Sequence, residues 1–417
     1  MAKEKVENVE SRLNLLSLSQ ARAMERLQTT GNIFITGGPG TGKSFLIREF
    51  LKGQTEKLPV LASTGAAAIL VGGRTFHSFF GLGIMQGGRA ATLERAREDK
   101  RLRRRLRKAP LVLIDEVSML SGEAFDAAEE IARIHLNPLQ PWGGLRVIAV
   151  GDFAQLPPVS KGRDRDWAFL GSAWGRSGFI PMSLKEIHRT EDPEFAALLE
   201  KARWASLDEE LEDFLSERTV PAEEDSPHIF PRRDQTDRFN QERLRELPGK
   251  VVEIQTRYSG LERFLEVLAR EAPVPSILYL KNGALVMIRT NDPKQRFVNG
   301  TLARVVDVTE DSLLVDVKGR ILELEKFSFT YLNAEGEEVA SATNFPVSLA
   351  YASTIHKVQG ATMDRAHMDL HALWEPGQAY VAMSRVRSKE GLTIARWSRE
   401  AFRCDQVVRD FYRRLPT

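Results

Sequence analysis

The run Gly37-Gly38-Pro39-Gly40-Thr41-Gly42-Lys43-Ser44 stands between Asn32-Ile33-Phe34-Ile35-Thr36, an apolar β-rich segment, and Phe45-Leu46-Ile47-Arg48-Glu49-Phe50-Leu51, which has helical character. A strand, a glycine-rich loop and a helix in that order form a phosphate-binding loop. The glycines let backbone N–H groups turn toward phosphate oxygens, and the helix N-terminus adds the positive end of its dipole. Gly38, Pro39, Gly40, Thr41 and Gly42 are expected to cradle the phosphates, Lys43 to reach the β- and γ-phosphates, and Ser44 to hold Mg²⁺. The chain is therefore expected to bind a nucleoside triphosphate with Mg²⁺.

Outward from that loop, further apolar runs end in polar residues: Leu58-Pro59-Val60-Leu61-Ala62-Ser63, Leu111-Val112-Leu113-Ile114-Asp115-Glu116 and Leu145-Arg146-Val147-Ile148-Ala149-Val150-Gly151-Asp152. Continuous apolar strands alternating with helices predict an α/β fold with a parallel sheet covered on both faces. Asp115 and Glu116 close their strand at the carboxyl end, where open α/β sheets bind ligands. Asp115 is suited to hold Mg²⁺, and Glu116 to orient or deprotonate the attacking water. Gln155, just beyond Asp152, could sense the γ-phosphate. Arg189 and Arg385 are candidates to stabilise the transferring phosphoryl group, although spacing alone does not select them.

Composition sets the limits. The chain has 417 residues, 42% hydrophobic and 28% charged, ordinary for a globular protein of two or three domains. No apolar run is long enough to span a bilayer, and Met1 to Glu10 lacks an apolar leader core, so no membrane partner and a cytoplasmic location are expected. The lone cysteine, Cys404, excludes an internal disulfide. A net charge of +2 does not announce a nucleic-acid partner. Residues 89–108, however, carry ten Lys or Arg against three Asp or Glu, a local +7 that reads as a solvated helix face able to bind phosphate.

A helix is expected over residues 1–30. The α/β pattern changes near Pro181. Short alternating strands broken by Asn-Gly and Lys-Gly turns follow between residues 277 and 345, and the α/β character returns from Val347 to Arg396. These changes suggest a small β-barrel inserted in an α/β domain.

The ordered boxes Gly37–Ser44, Ala62–Ala68, Ile114–Met119, Gly151–Val159, Tyr351–Gly360 and Tyr380–Arg385 resemble those of superfamily-one DNA helicases. Phe125–Arg133 followed by Pro141-Trp142-Gly143-Gly144 is similar to the segment that marks the PIF family, relatives of the RecD-like helicases. The resemblance implies two RecA-like P-loop NTPase domains with ATP between them. The first covers residues 1–180 with a wedge insertion about 76–108. The second covers 181–295 and 346–417, and a small Src-homology-three-like β-barrel occupies 296–345.

The resemblance also implies site roles. Gln20 would read the adenine, Gln359 and Gly360 would touch nucleotide, and Gln155, Arg189 and Arg385 would complete the γ-phosphate site, the arginines arriving from the second domain. Thr64, Gly65, Phe76, His77, Asn299, His356 and Lys357 would contact DNA. Core packing is an equal reading for Phe76, and a hairpin turn is the plain reading of Asn299-Gly300-Thr301. The implied activity is ATP-dependent, 5′-to-3′ movement on single-stranded DNA that unwinds duplexes and extends to G-quadruplexes. The implied partners are single strands and single-strand/duplex junctions, bound by a monomer or by a dimer on DNA. Roles in DNA repair, recombination and telomere maintenance come with the family. The residues leave open a translocase that remodels protein–DNA complexes without unwinding, and a nucleotide-gated clamp.

Overall fold

The computed structural model describes residues 16–83, 85, 87–158, 165–294 and 296–416. The chain divides into two compact units. The first comprises residues up to Ser63, Arg74–Arg189 and Asp405–Thr417; the second comprises Thr64–Gly73 and Thr190–Cys404.

The first unit is built on a six-stranded sheet ordered β3-β2-β4-β5-β1-β6. Its strands are β1 (Ile33–Gly37), β2 (Val60–Ala62), β3 (Arg74–Thr75), β4 (Leu111–Asp115), β5 (Arg146–Val150) and β6 (Ile180–Leu184). Every pairing is parallel, with Ile35 opposite Val150 and Ala62 opposite Asp115. The continuous apolar runs thus form a sheet buried on both faces, as expected.

Alternation along β1 separates two cores. Ile33 and Ile35 pack with Ala23, Leu27, Leu46 and Phe50 of the helices Leu18–Leu27 and Lys43–Lys52. Phe34 turns to the opposite face, where it meets Phe153, Trp174 and Phe411 at ring separations of 5.5, 5.1 and 6.0 Å. Phe411 lies on the helix Gln406–Arg413. This aromatic packing is the reason the C-terminal residues, expected with the second domain, belong to the first unit. Of the helix expected over 1–30, the part before residue 16 lies outside the described residues, as does Val159 of the Gly151–Val159 box.

The family-marking segment proves to be a packing device. The helix Gly122–His135 buries Asp126 and Glu129. Asp126 accepts from the Ser172 and Ala173 N–H groups. Glu129 is fully buried, pairs with Arg133 and Arg176 at 3.0 and 2.8 Å, and accepts from the Trp142 N–H. Gly143 has φ +64°, and a Cβ there would stand 2.5 Å from Ala132 O, so only glycine lets the loop close on the helix. The helices Gly88–Arg97 and Lys100–Lys108 fill the region expected to be a wedge. The second buries Leu102 and Leu106 and leaves Arg101, Arg103, Arg104, Arg107 and Lys108 exposed on its other side.

The second unit holds a four-stranded parallel sheet ordered β18-β7-β19-β20, from β7 (His228–Phe230), β18 (Ala352–Thr354), β19 (Ala366–Leu370) and β20 (Leu392–Trp397). Between β7 and β18 lie β8 (Val252–Gln255), β9 (Arg257–Gly260), β10 (Ile277–Leu280), β11 (Leu285–Ile288), β12 (Leu302–Val308), β13 (Leu313–Val317), β14 (Arg320–Glu323), β15 (Phe327–Leu332), β16 (Glu338–Asn344) and β17 (Val347–Leu349). Five of them make an antiparallel sheet ordered β14-β13-β12-β11-β17, around Val286, Ile288, Val305, Val315 and Val347.

This sheet begins before residue 296 and returns after 345. The β15–β16 hairpin, expected inside the barrel, pairs instead with β9 in a separate three-stranded sheet. Residues 64–73 join that part: Ile69 packs with Leu268, Val274, Phe329 and Ala342.

Candidate functional site

Lys43 opens the helix Lys43–Lys52, and Gly42, its N-cap, has φ +79°. The Lys43 ammonium donates to Gly37 O at 2.7 Å and Gly38 O at 3.1 Å, so its charge lies over the loop. Thr41 Oγ1 donates to Gly38 O. The loop is tightly walled. A Cβ at Gly42 would lie 2.3 Å from Gln20 Nε2, and one at Gly40 would lie 2.5 Å from Arg189 Cβ.

Gln20 is buried beside the loop. Its Nε2 donates to Thr41 O at 3.0 Å, and its Oε1 accepts from Ser17 N. The hold on this helix comes from Glu186, which the sequence did not single out. Its carboxylate accepts from Ser17 Oγ, Ser19 N and Ser19 Oγ. Those bonds, the Ser19 hydroxyl first, keep its pKa down at about 2.

Arg189 requires a correction. It was expected to arrive from the second domain, yet it belongs to the first unit and packs on Gly40. The reason is topological. β6 pairs in parallel with β1, Gly37 opposite Leu184, so the chain leaves β6 at the edge where the phosphate loop begins. His188 N then donates to Gly40 O at 2.7 Å.

Asp115 and Glu116 stand at the carboxyl end of β4. Burial pushes the Asp115 carboxyl up, opposed by the Glu116 N–H and the Lys43 ammonium. Glu116 adopts φ +50°, ψ +47°, a left-handed conformation costly for a residue with a side chain. Such strain is kept where neighbouring structure imposes it.

Gln155 is buried, with Nε2 3.4 Å from Asp152 Oδ2. Asp152 in turn accepts from Tyr412, whose hydroxyl also accepts from Phe153 N at 3.0 Å and lies 2.7 Å from Thr36 Oγ1. Tyr412 thus ties the C-terminal helix to the Gly151–Asp152 box, a link between residues remote in sequence. Tyr412→Phe should lower unfolding stability by about 1–3 kcal/mol, because buried partners lose their bond. Urea unfolding checks this, and an unchanged midpoint would remove Tyr412 from the support of the box.

In the second unit, Arg385 is 1% exposed. Its guanidinium donates to Val381 O (2.7 Å), Val358 O (3.4 Å) and Ser384 Oγ (2.7 Å). Gln359 and Gly360 follow on the turn after β18, Gly360 with φ +78°.

A cleft of about 600 Å³ is lined by Pro231, Arg232, Arg233, Thr354, His356 and Trp374. The Arg232 guanidinium lies 5.7 Å from the Trp374 ring centre, and His356 Nε2 is 3.6 Å from Glu375 Oε2. His356 and Lys357 are exposed. The cleft therefore presents cations beside an open aromatic face, the combination suited to a single strand's phosphates and bases. Arg232, Arg233 and Trp374 were not foreseen, since their neighbourhood depends on β7, β18 and the turn after β19 meeting in space.

The other nucleic-acid candidates fare differently. Thr64 caps the helix Gly65–Val71 through Oγ1, which accepts from Ala67 N. Glu271 stands against Gly65 and accepts from Ala66 N at 3.2 Å. His77 is partly exposed, and burial lowers its pKa. Phe76 is a correction. It is fully buried, its ring parallel to that of Phe125 and 5.0 Å from that of Phe80, so it is a core residue that no base can reach. Asn299 forms part of the turn before β12, where Gly300 has φ +99°.

The family model for PIF1-like helicases matches residues 16–211. The ATP-dependent DNA helicase Pif1 of Bdellovibrio bacteriovorus is 48% identical over 404 residues, which is 96% of this chain and 92% of that protein. The crystal structure of Bacteroides sp Pif1 in complex with ADP-AlF4 is similar, with a TM-score of 0.83 and 27% identity over 95% of this chain and 96% of that one. Bacteroides Pif1 bound to ssDNA is similar at a TM-score of 0.66 and 27% identity, over 95% and 96% of the two chains.

Proposed function

Since the chain belongs to the PIF1-like helicase family, we propose that it moves 5′-to-3′ along single-stranded DNA and opens duplexes and G-quadruplexes ahead of it. It is an ATP-hydrolysing DNA helicase. The observation that carries the chemistry is the convergence of Lys43, Asp115 and Glu116 at the carboxyl ends of the first unit's strands, with the Lys43 charge acting on the buried Asp115 carboxyl.

Lys43 leaves the Gly37 and Gly38 carbonyls for the β- and γ-phosphates, an exchange of neutral acceptors for charged ones. The loop N–H groups hold the phosphates, and Gln20 meets the base. Glu116 takes the proton of the attacking water, and Gln155, held by Asp152, orients that water. Ser44 and Asp115 offer oxygen donors of the kind Mg²⁺ prefers, and a cation beside Asp115 would offset the desolvation that raises its pKa. Mg²⁺ held there would neutralise charge on the β- and γ-oxygens. Arg189, beside Gly40, and Arg385 balance the charge of the transferring group.

DNA phosphates are read at Thr64, Gly65, His356 and Lys357, with His77 and Asn299 as further contacts. One strand and the single-strand/duplex junction are the partners, engaged by a monomer or by a dimer on DNA. Support for DNA as the partner comes from the cationic, aromatic cleft and from the single strand bound by the Bacteroides relative. The cytoplasm is the proposed location; among the described residues no helix is long and apolar enough to cross a membrane.

Strand-displacement assays with 5′-tailed and 3′-tailed duplexes test the direction. Unwinding of the 5′-tailed substrate alone is expected, and unwinding of the 3′-tailed one would reverse the assignment. DNA-stimulated ATPase without displacement of either would indicate a translocase.

Glu271 adds a further expectation. Its carboxylate holds the N–H end of the helix Gly65–Val71 where a phosphate oxygen would sit, so strand binding there must displace it. Glu271→Ala should tighten single-strand binding by about two- to five-fold. Fluorescence anisotropy with a labelled oligonucleotide measures this, and unchanged or weaker binding would count against strand contact at Thr64 and Gly65.

A further inference from the structure

Arg289 follows β11 directly and is 8% exposed. A guanidinium keeps its charge at any physiological pH, so burying it requires oxygen partners. The unit's other buried cations have them. Lys281 donates to Arg245 O and Leu247 O, and Arg385 donates to two carbonyls and a hydroxyl.

Arg289 does not. Its Nε is buried with no hydrogen-bond partner among the described residues, and the contact recorded for Nη1 is the Met287 thioether at 3.2 Å. No carboxylate of the described residues pairs with it. Burial pulls its pKa down with nothing opposing.

Its surroundings add positive charge. Lys357 lies close enough to Arg233 and Arg289 for both guanidiniums to act on its ammonium, with Asp237 opposing them. The backbone brings these segments together. Ile288 pairs with the 299–301 turn through Gly300 N and Thr301 O, and a Cβ on Gly300 would touch Ala361, four residues after Lys357. Lys357 thus has both guanidiniums near it, and the acid that opposes them, Asp237, pairs with Arg233 at 3.4 Å rather than with Arg289.

We propose that Arg289 binds a backbone phosphate of the single strand, acting with Lys357 and Arg233 as one phosphate clamp on the second unit. The clamp rests on the reading of Lys357 as a DNA contact. It adds a residue from outside the helicase boxes, one whose charge the folded protein leaves uncompensated until an anion arrives. A tetrahedral oxyanion is the shared chemistry, and the source argued for is DNA. The adjoining cleft continues the path with Arg232 stacked by Trp374, a phosphate-and-base surface that a free anion does not need.

The test is oligo-dT binding by anisotropy across a salt series, for the wild-type chain, Arg289→Met and Arg289→Lys. Arg289→Met should weaken binding about tenfold and reduce the slope of log K against log salt by about 0.7, the value for one single-strand phosphate contact. Arg289→Lys should regain most of that slope. Without DNA, Arg289→Met should melt higher than wild type, because it removes an uncompensated buried charge. Weaker binding combined with greater stability cannot come from misfolding.

An unchanged slope in Arg289→Met would overturn the clamp. A variant that melts lower and fails to recover as Arg289→Lys would mean that Arg289 only packs, and would also overturn it. If inorganic phosphate raises the wild-type melting temperature but not that of Arg289→Met, while the DNA slope stays unchanged, the site takes free anions and the DNA assignment fails. A wild-type chain that does not bind oligo-dT would instead remove the underlying reading of DNA contact.

Discussion

Lys43→Ala should reduce ATP turnover by about a thousandfold or more while leaving single-strand affinity nearly unchanged. The Lys43 ammonium is the cation that the phosphate loop carries over its own carbonyls. Alanine removes the charge and disturbs little else, because Gln20, Thr41 and the segment 187–189 wall the loop independently. The cationic cleft with His356 belongs to the other compact unit and makes no use of Lys43. ATPase rates and oligonucleotide anisotropy on the same preparation separate the two effects. An equal loss of both would show that nucleotide and DNA sites are not independent.

Arg385→Ala should keep ATP binding and lose about 10³- to 10⁵-fold in turnover, the range for an arginine that stabilises a transferring phosphoryl group. Arg385 is buried, with its guanidinium spent on oxygens of its own unit. Reaching a γ-phosphate means exchanging Val381 O and Ser384 Oγ for charged oxygens, which a closing motion could drive. Alanine also leaves those acceptors unpaired, so it costs stability as well as rate. Arg385→Lys separates the two: it retains a charge near the same place and should recover part of the rate. Near-normal turnover in Arg385→Ala would end the finger assignment, and a matching loss of ATP binding and melting temperature would make Arg385 a packing residue.

The parts that were legible in sequence are those whose geometry is local. A strand, a glycine loop and a helix within twenty residues determine where Lys43 and Ser44 point, and a buried strand ending in two acids determines where Asp115 and Glu116 stand. Resemblance brought Gln20 to the loop, and the structure seats it there. Arg189 was misassigned because its partner is decided by strand order: β6 joins the first sheet beside β1, and that edge delivers residues 187–189 to the phosphate loop. Phe76 looked equally suited to a base or a core, and its ring meets Phe80 and Phe125, each of which packs in turn on Trp142.

What the amino-acid order determined alone was the local form of each element: a glycine-rich loop between strand and helix at Gly37–Ser44, acids at the end of β4, a parallel-sheet α/β core and a positive surface at residues 89–108. Such features repeat over a few residues, so neighbours along the chain are neighbours in space. The tertiary structure alone decided the long-range assignments. It sent the C-terminal helix to the aromatic face of the first sheet through Phe411, pinned Asp152 by Tyr412, pinned the Gln20 helix by Glu186, and paired the β15–β16 hairpin with β9. It also buried Arg289 near Lys357 with no oxygen partner for its Nε among the described residues. Each of these depends on which faces find partners when the chain closes, a choice made by total burial and hydrogen-bond satisfaction over the whole unit rather than by any one segment.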